Sequence, residues 1–527
     1  MKPSVKTITT IIISLVVGIA IGIFEMPQSR RINADSDTNA TKITDVLRLI
    51  NSNYVDKLSI DSLTDQTITS LLAQLDPHSV YLTAAQVRKE SEGLNGNFEG
   101  IGVMFRIVED TIVVIQPVKG GPSAKAGIMP GDRIVKINDT LRAGIKIEND
   151  DVMSLLKGKK KTKVKLSIKR NGLDKLIDFV IARDVIKTNS VEYYGMLDKT
   201  TGYIKLTEFS STSHDEVFKA LSALKYDNDM QQLIFDIRGN GGGYLQEAVA
   251  IADEFLPKGD LIVFTKGRNN TKDKSYATAG GLFEKGKLIV LIDEISASAS
   301  EILAGAIQDN DRGKIIGRRT FGKGLVQEQV PLPDGSAIRL TISRYYTPSG
   351  RCIQRPYTSN DPEQYYADFI ARYANMENDA DTIAHVDSLR YKTKGGRFVY
   401  GGGGIEPDIE LSYHAYKRSE VYTDLLRFGL IYKYCFDYAD NHRKDFSAYA
   451  NGEQFLASFA ISNELYNKFL AFAAKNNIKP KQLSDKETIE IKTLMKAYIA
   501  QILFDDKTFY SLFTSVDEDI RHALRNF

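Results

Sequence analysis

KLIVLIDEISASASEILAGAIQDN, residues 287–310, carries the clearest architectural signal in the chain. Leu288–Ile292 is a continuous apolar run, the mark of a strand. After Ser298 the period changes: Ile302, Leu303 and Ile307 can face a core, while Ala304, Gly305 and Ala306 permit close helix packing. A serine at such a strand-to-helix junction stands at a helix N-terminus. There, free N–H groups and the local dipole favour a developing oxyanion. Ala297 and Ala299 leave room for a polypeptide carbonyl, and Ser296, Ser298 and Ser300 compete as nucleophile.

A serine hydroxyl is a weak nucleophile near neutral pH and needs a base. RRTFGKGLVQEQV, residues 318–330, places Lys323 between Gly322 and Gly324, with Gln327 four residues on. A neutral, desolvated Lys323 can take the serine proton and return it to a departing amine, while Gln327 orients the amine without adding charge. On spacing alone, a surface lysine on a glycine turn is the simpler reading. FDIRGNGGGYLQEAVAIADEFL, residues 235–256, runs from a strand through a glycine-rich bend into a helix. The bend can present a backbone donor to an oxyanion, with Asp236 and Arg238 as loop organisers. It lacks the lysine-serine/threonine ending of a phosphate loop.

Composition narrows the classes. The chain has 527 residues, 43% hydrophobic and 26% charged, which predicts several domains and argues against global disorder or a multi-span membrane protein. Lys and Arg total 69 against 67 Asp and Glu, so no broad electrostatic footprint for nucleic acid exists. Two cysteines, Cys352 and Cys435, supply neither a disulfide framework nor a four-sulfur metal site, and six scattered histidines form no paired motif. No metal is expected. His78 and His214 read as structural or surface residues.

Outward from the core, five regions follow. Residues 1–30 hold an uncharged stretch, 8–24, behind Lys2 and Lys6, which predicts a signal anchor or a signal peptide. Either exports the rest to the periplasmic side of an inner membrane, anchored or released. Residues 31–86 are helical and end at LDPHSVYL, 87–172 are β-rich, and 173–408 alternate strands with helices. An excursion at about 355–400 interrupts that body, and 409–527 form a C-terminal helical domain. In the β-rich region GNFEGIGVMF, residues 96–105, and GGPSAKAGIMPGDRIVKIND, residues 120–139, place glycines beside strands. A glycine-bounded loop can expose successive N–H groups to a peptide carboxylate, although ordinary turn chemistry also accounts for it.

Taken together, those two stretches resemble a PDZ module of the circularly permuted type found in bacterial proteases. The resemblance implies carboxyl-terminus recognition by Gly100, Ile101, Gly102 and Val103. Residues 42–408 as a whole resemble bacterial carboxy-terminal processing peptidases, also called tail-specific serine proteases. The shared motifs are LDPHSVYL, the PDZ segments, DIRGNGGG, SASASEILAGAIQD, TFGKGLVQ, YYTPSGRCIQ and GGGIEPDI. The later extensions resemble those of Bacteroidetes members. The resemblance implies a multidomain α+β chain with a crotonase-like mixed α/β Ser–Lys protease core, a β-rich PDZ domain and helical N- and C-terminal regions. It assigns the nucleophile to Ser298, the base to Lys323, amine orientation to Gln327, and the oxyanion donors to the Ala299 and Gly242 N–H groups. It requires no cofactor. Expected partners are protein and peptide substrates with accessible carboxyl termini, and the inner membrane through the N-terminal segment; an adaptor or self-association stays open. The rivals are a catalytically silent peptide-binding scaffold, a crotonase-type acyl-transforming enzyme and a ligand-binding envelope protein.

Overall fold

The computed structural model describes residues 38–268, 272–358, 361–376, 387–412, 418–478 and 483–527. The chain divides into two compact units, Met1–Leu71 and Leu72–Phe527. The first holds the helix Thr38–Asn53 and most of the helix Ile60–Ala73, as the periodicity of the sequence predicts. Among the described residues no helix is long and apolar enough to cross a membrane. The stretch 8–24 lies outside them. The described residues therefore give no support to the expected transmembrane helix, inner-membrane partner and anchored location.

The second unit is built on a six-stranded sheet. Its order is Val191–Met196, Thr201–Leu206, Gln232–Asp236, Lys287–Ile292, Lys314–Gly317 and Ile409–Glu410. The first pair is antiparallel and the remaining four pairings are parallel. Parallel strands need both faces covered, which is why Leu288–Ile292 is apolar without alternation. Leu288, Val290 and Ile292 enter one core, shared with the helices Ser213–Ser222, Leu245–Asp253 and Ala299–Asp309. Ile289 and Leu291 point the other way, into a core completed by Phe509, Tyr510 and Ile520. The C-terminal helices therefore supply the second cover of this sheet.

A separate antiparallel sheet joins Val80–Leu82, Ala337–Tyr346, Leu261–Gly267 and Lys272–Tyr276, with Leu325–Pro331 also paired to Ala337–Tyr346. Val80–Leu82 belongs to LDPHSVYL, so this turn motif is carried into the body of the protein. The expected crotonase-like core is corrected here. The described elements form a mixed α/β multidomain architecture in which Lys323 precedes a strand of the antiparallel sheet, not one of the parallel sheet.

Residues between Gly100 and Asp184 form a β-rich module entered and left through one antiparallel ribbon, Asn97–Gly100 against Asp184–Lys187. Its sheet orders Val103–Val108, Thr111–Pro117, Arg133–Ile137, Lys163–Lys169 and Ile177–Ala182, all antiparallel. Ile112 and Val114 face the module's own core, while Val113 and Ile115 pack with C-terminal helical residues such as Tyr422 and Phe436. Strand alternation thus serves two cores at once. In the parallel sheet, Phe235 is fully buried and meets Phe255 edge-to-face at 5.4 Å. Phe235→Ala is expected to cost about 3–5 kcal/mol, read as a lower urea midpoint for the intact chain. An unchanged midpoint would show that this ring does not join sheet to helix.

Candidate functional site

Three loops leave the carboxyl ends of the parallel strands: 237–244 after Gln232–Asp236, 293–298 after Lys287–Ile292, and 318–324 after Lys314–Gly317. That edge is where open α/β sheets bind ligands. In the second loop Asp293 Oδ1 accepts the N–H groups of Ile295 and Ser296, at 3.1 and 3.0 Å. The Ser296 hydroxyl donates to the Ile237 carbonyl at 2.9 Å, and the Ser300 hydroxyl to the Asn240 carbonyl at 2.8 Å. Both are buried and committed to the neighbouring loop. Ser298 is partly exposed. It caps the helix Ala299–Asp309 with φ 56° and ψ −112°, a backbone region sparsely populated by non-glycine residues.

Glu301 holds this corner together. Its fully buried carboxylate accepts the Ser298 N–H at 2.9 Å and the Lys323 N–H at 2.8 Å on one oxygen. The other oxygen accepts the Gly322 N–H at 2.8 Å and the Thr320 hydroxyl at 2.5 Å. Burial pushes this carboxyl above its ordinary pKa, and the four donors pull against that shift. The Tyr345 hydroxyl adds a second tie, lying 2.6 Å from the Lys323 carbonyl and 3.1 Å from that of Ser298.

Lys323 is largely shielded. Burial holds its amine below the ordinary lysine range; the charge of Arg339 acts the same way, against Glu301, Asp76 and Glu90. Gln327 lies on the strand Leu325–Pro331, and its amide donates to the Thr341 hydroxyl at 3.4 Å. Among the described residues, no hydrogen bond joins Lys323 Nζ to Ser298 or Gln327. The structure therefore brings Ser298 and Lys323 together through their backbones and leaves Gln327 facing Thr341. Gly242 presses against Ser298. With φ 105°, a Cβ there would lie 2.8 Å from the Ala297 carbonyl oxygen, 2.9 Å from Ser298 Cβ and 3.1 Å from Ala299 N. Its N–H donates to Asn240 Oδ1 at 2.9 Å. Ala299 is the first residue of its helix, where no intrahelical acceptor exists for its N–H.

In the β-rich module Gly100 ends its strand and Val103 begins the next. The buried Ile101 accepts the Ser123 N–H and hydroxyl on its carbonyl, at 3.0 and 2.7 Å. Gly102 has φ 71°, and a Cβ there would lie 2.9 Å from Ile186 Cδ1. Its carbonyl accepts the Val118 N–H at 2.9 Å.

Residues 200–363 match Peptidase family S41, residues 100–180 a PDZ domain, and residues 421–505 a family of unknown function (DUF8443). A carboxy-terminal-processing protease of Bartonella bacilliformis is 34% identical over 407 residues, 75% of this chain and 92% of that relative. The chain belongs to peptidase family S41. It is a carboxy-terminal processing serine protease of the Ser–Lys type, with a PDZ domain for substrate recognition. The carboxy-terminal processing protease CtpA of Bacillus subtilis is 33% identical over 360 residues, 67% of this chain and 76% of the relative. Among solved structures, a photosystem II D1 C-terminal processing protease gives a TM-score of 0.36 at 26% identity, covering 70% of this chain and 92% of that one. A putative S41 protease from Bacteroides fragilis gives 0.36 at 15% identity, covering 56% and 88%. The core is that of an S41 peptidase.

Glu301 and Asp76 also belong to this corner. Ser298-x-x-Glu301 has the spacing of a capping box, which predicts that Glu301 reaches back to the Ser298 N–H. LDPHSVYL reads as a turn, yet Asp76 accepts the Thr341 hydroxyl at 3.1 Å, beside Gln327, along with the N–H groups of His78 and Ser79. Burial and the neighbouring Lys323 charge bring the His78 ring down to about 4. His78 is thus neutral at pH 7 and is not a cationic rival to the lysine. Glu301→Gln would aim an amide N–H₂ at donors. One buried polar mismatch of this kind costs about 1–3 kcal/mol, so the S41 peptidase should lose roughly 10- to 100-fold in peptide hydrolysis. Circular dichroism should stay unchanged. Full hydrolysis by this variant would show that the Glu301 tie does not set the site.

Proposed function

We propose that Ser298 attacks the peptide carbonyl while Lys323 accepts its proton. Lys323 then protonates the amine leaving group, giving an acyl-enzyme that water hydrolyses by the reverse sequence. The observation that carries this reading is the shared Glu301 carboxylate, which sets the backbones of residues 298 and 323 side by side. The Ser296 and Ser300 hydroxyls, already committed to carbonyls, favour Ser298 as nucleophile. The Ala299 N–H is assigned as the first oxyanion donor. The second comes from the 241–243 bend, with Gly242 N–H exchanging Asn240 Oδ1 for the substrate oxygen. Gln327 is assigned to orienting the Lys323 amine, which requires its amide to leave Thr341.

In the PDZ domain, Gly100, Ile101, Gly102 and Val103 are assigned to the substrate's terminal carboxylate. Two successive carbonyls in that loop are tied inward, which supports its N–H groups as the ligand-facing set. We place the domain boundaries at 87–172 for the PDZ domain, 173–408 for the protease core with its excursion, and 409–527 for the helical domain. The excursion and the helical domain also underlie assignment to a Bacteroidetes-like branch.

Two measurements test this. Ser298→Ala and Lys323→Ala should each abolish peptide hydrolysis while retaining PDZ-peptide binding, and free carboxyl ends should be cleaved faster than amidated ones. Comparable cleavage by either variant would remove the dyad. The second is the pH profile. Because Lys323 works as the neutral amine and burial lowers its pKa, kcat/KM should rise with pH, with an inflection below the ordinary lysine value of about 10.4. A rate that falls as pH rises through this range contradicts a lysine base.

A further inference from the structure

Arg238, at the start of the glycine-rich bend, is held from two directions. From its own loop comes Asp236, fully buried at the end of its strand. Asp236 accepts the Arg238 N–H at 2.9 Å and the guanidinium at 2.6 Å. It also accepts Lys205 at 3.2 Å and the Tyr203 hydroxyl at 2.8 Å. Burial would raise its pKa, but the charges of Arg238 and Lys205 outweigh this and keep it ionised. From the far end of the sequence come Asp517 and Asp519. Asp519 accepts Nη1 at 2.8 Å and Asp517 accepts Nη2 at 3.0 Å. Asp517 also caps the last helix, Glu518–Leu524, through the Ile520 N–H.

Asp519 reaches the Lys323 loop as well. Its carboxylate lies 3.4 Å from Arg318, which also pairs with Glu294 at 3.0 Å. Arg318 opens the loop that ends at Lys323, and Arg238 opens the bend in which Gly242 touches Ser298. All three charged side chains are shielded: Arg238 is 14% exposed, Asp517 11% and Asp519 10%. Elsewhere this helical domain meets the sheet through apolar residues such as Tyr510 and Ile520. A shielded ionic network is weak evidence for stability, because desolvation offsets the attraction; fixing one arrangement is its better-attested use.

We propose that Asp517 and Asp519 are positioning residues for peptide hydrolysis. The C-terminal helical domain clamps the Arg238 bend and, through Arg318, the Lys323 loop. The clamp acts on the oxyanion side of the Ser298 mechanism, and so rests on the function proposed above. Its loss disturbs the tetrahedral adduct more than the bound substrate, because the bend supplies a donor only when the oxyanion forms.

The test uses the full chain carrying Asp517→Asn, Asp519→Asn or both, with Asp519→Glu and Ser298→Ala alongside. Readouts are kcat and KM on a free-carboxyl peptide, the inhibition constant of a peptide aldehyde that adds to the serine hydroxyl, PDZ-peptide affinity and thermal melting. The double variant is expected to lose about 100-fold in kcat, the effect of one oxyanion donor, with KM within about threefold. Aldehyde affinity should fall in step with kcat, and PDZ-peptide affinity should hold. Asp519→Glu, which keeps the carboxylate, should recover most of what Asp519→Asn loses. If the double variant does not fold, the single variants carry the same kcat and aldehyde comparison. A kcat within about twofold of the unchanged enzyme overturns the clamp, as does weakening of substrate and aldehyde by equal factors. Hydrolysis surviving Ser298→Ala overturns the underlying site. Silence of Ser298→Ala with full-rate aspartate variants overturns the clamp alone.

Discussion

A single buried carboxylate fixes the catalytic corner. Glu301 receives N–H groups from residues 298, 322 and 323 and the hydroxyl of Thr320. An isolated carboxylate at this depth would be prohibitively costly, and four donors are what make it tolerable. The consequence is geometric. Two loops that leave different strands cannot separate without stranding that carboxylate. The strained Ser298 backbone is held by the same contacts, together with the Tyr345 hydroxyl. Backbone strain of this kind costs about 1–3 kcal/mol and persists only where surrounding contacts over-determine it. Ser298 is therefore placed by its main chain, and it stays partly exposed.

The parallel sheet that carries these loops explains why the fold needs its C-terminal helices. A parallel sheet exposes apolar residues on both faces, and the helices Leu245–Asp253 and Ala299–Asp309 cover only one. Phe509, Tyr510 and Ile520 cover the other. The catalytic loops at the sheet's carboxyl edge are thus framed between two helical layers. The helical domain also packs with Val113 and Ile115 of the PDZ domain. Substrate-binding module and catalytic sheet consequently share one apolar support, and displacement of either would uncover surface of both.

Much of this was legible in the sequence because apolar period is local. The unbroken run Leu288–Ile292 and the change of period after Ser298 specify strand and helix without outside help. The PDZ strands and the glycine bend follow in the same way. The choice among Ser296, Ser298 and Ser300 was not local: it depends on Ile237 and Asn240, about 60 residues away, whose carbonyls occupy the outer two hydroxyls. Asp76 beside Thr341, and Asp519 beside Arg238 and Arg318, are equally remote in sequence. No spacing rule links an N-terminal turn or a C-terminal helix cap to a catalytic loop. Glu301 differs, since its capping-box spacing was there to be read. The crotonase-like core and the membrane-anchored arrangement were inferences from resemblance and from an apolar stretch, and the described structure supports neither.

The electrostatics of the corner follow from the same arrangement. A base beside a carboxylate is ordinarily pushed towards its protonated form, and Glu301, Asp76 and Glu90 all act on Lys323 in that sense. Burial prevails because it penalises the ammonium directly, with Arg339 acting in the same direction. The lone pairs of Glu301 are meanwhile turned towards backbone N–H groups and the Thr320 hydroxyl, not towards the amine. Asp76 is likewise engaged by Ser79 and Thr341. Structural carboxylates can thus surround the lysine without forming ion pairs with it. His78 feels the same burial and the same Lys323 charge, and it is neutral at pH 7. A neutral ring leaves the Lys323 amine without a second cation pressing on it from that side. Its lowered pKa then rests on depth and on Arg339 alone, so opening the pocket to water would return the amine towards its protonated, non-basic state.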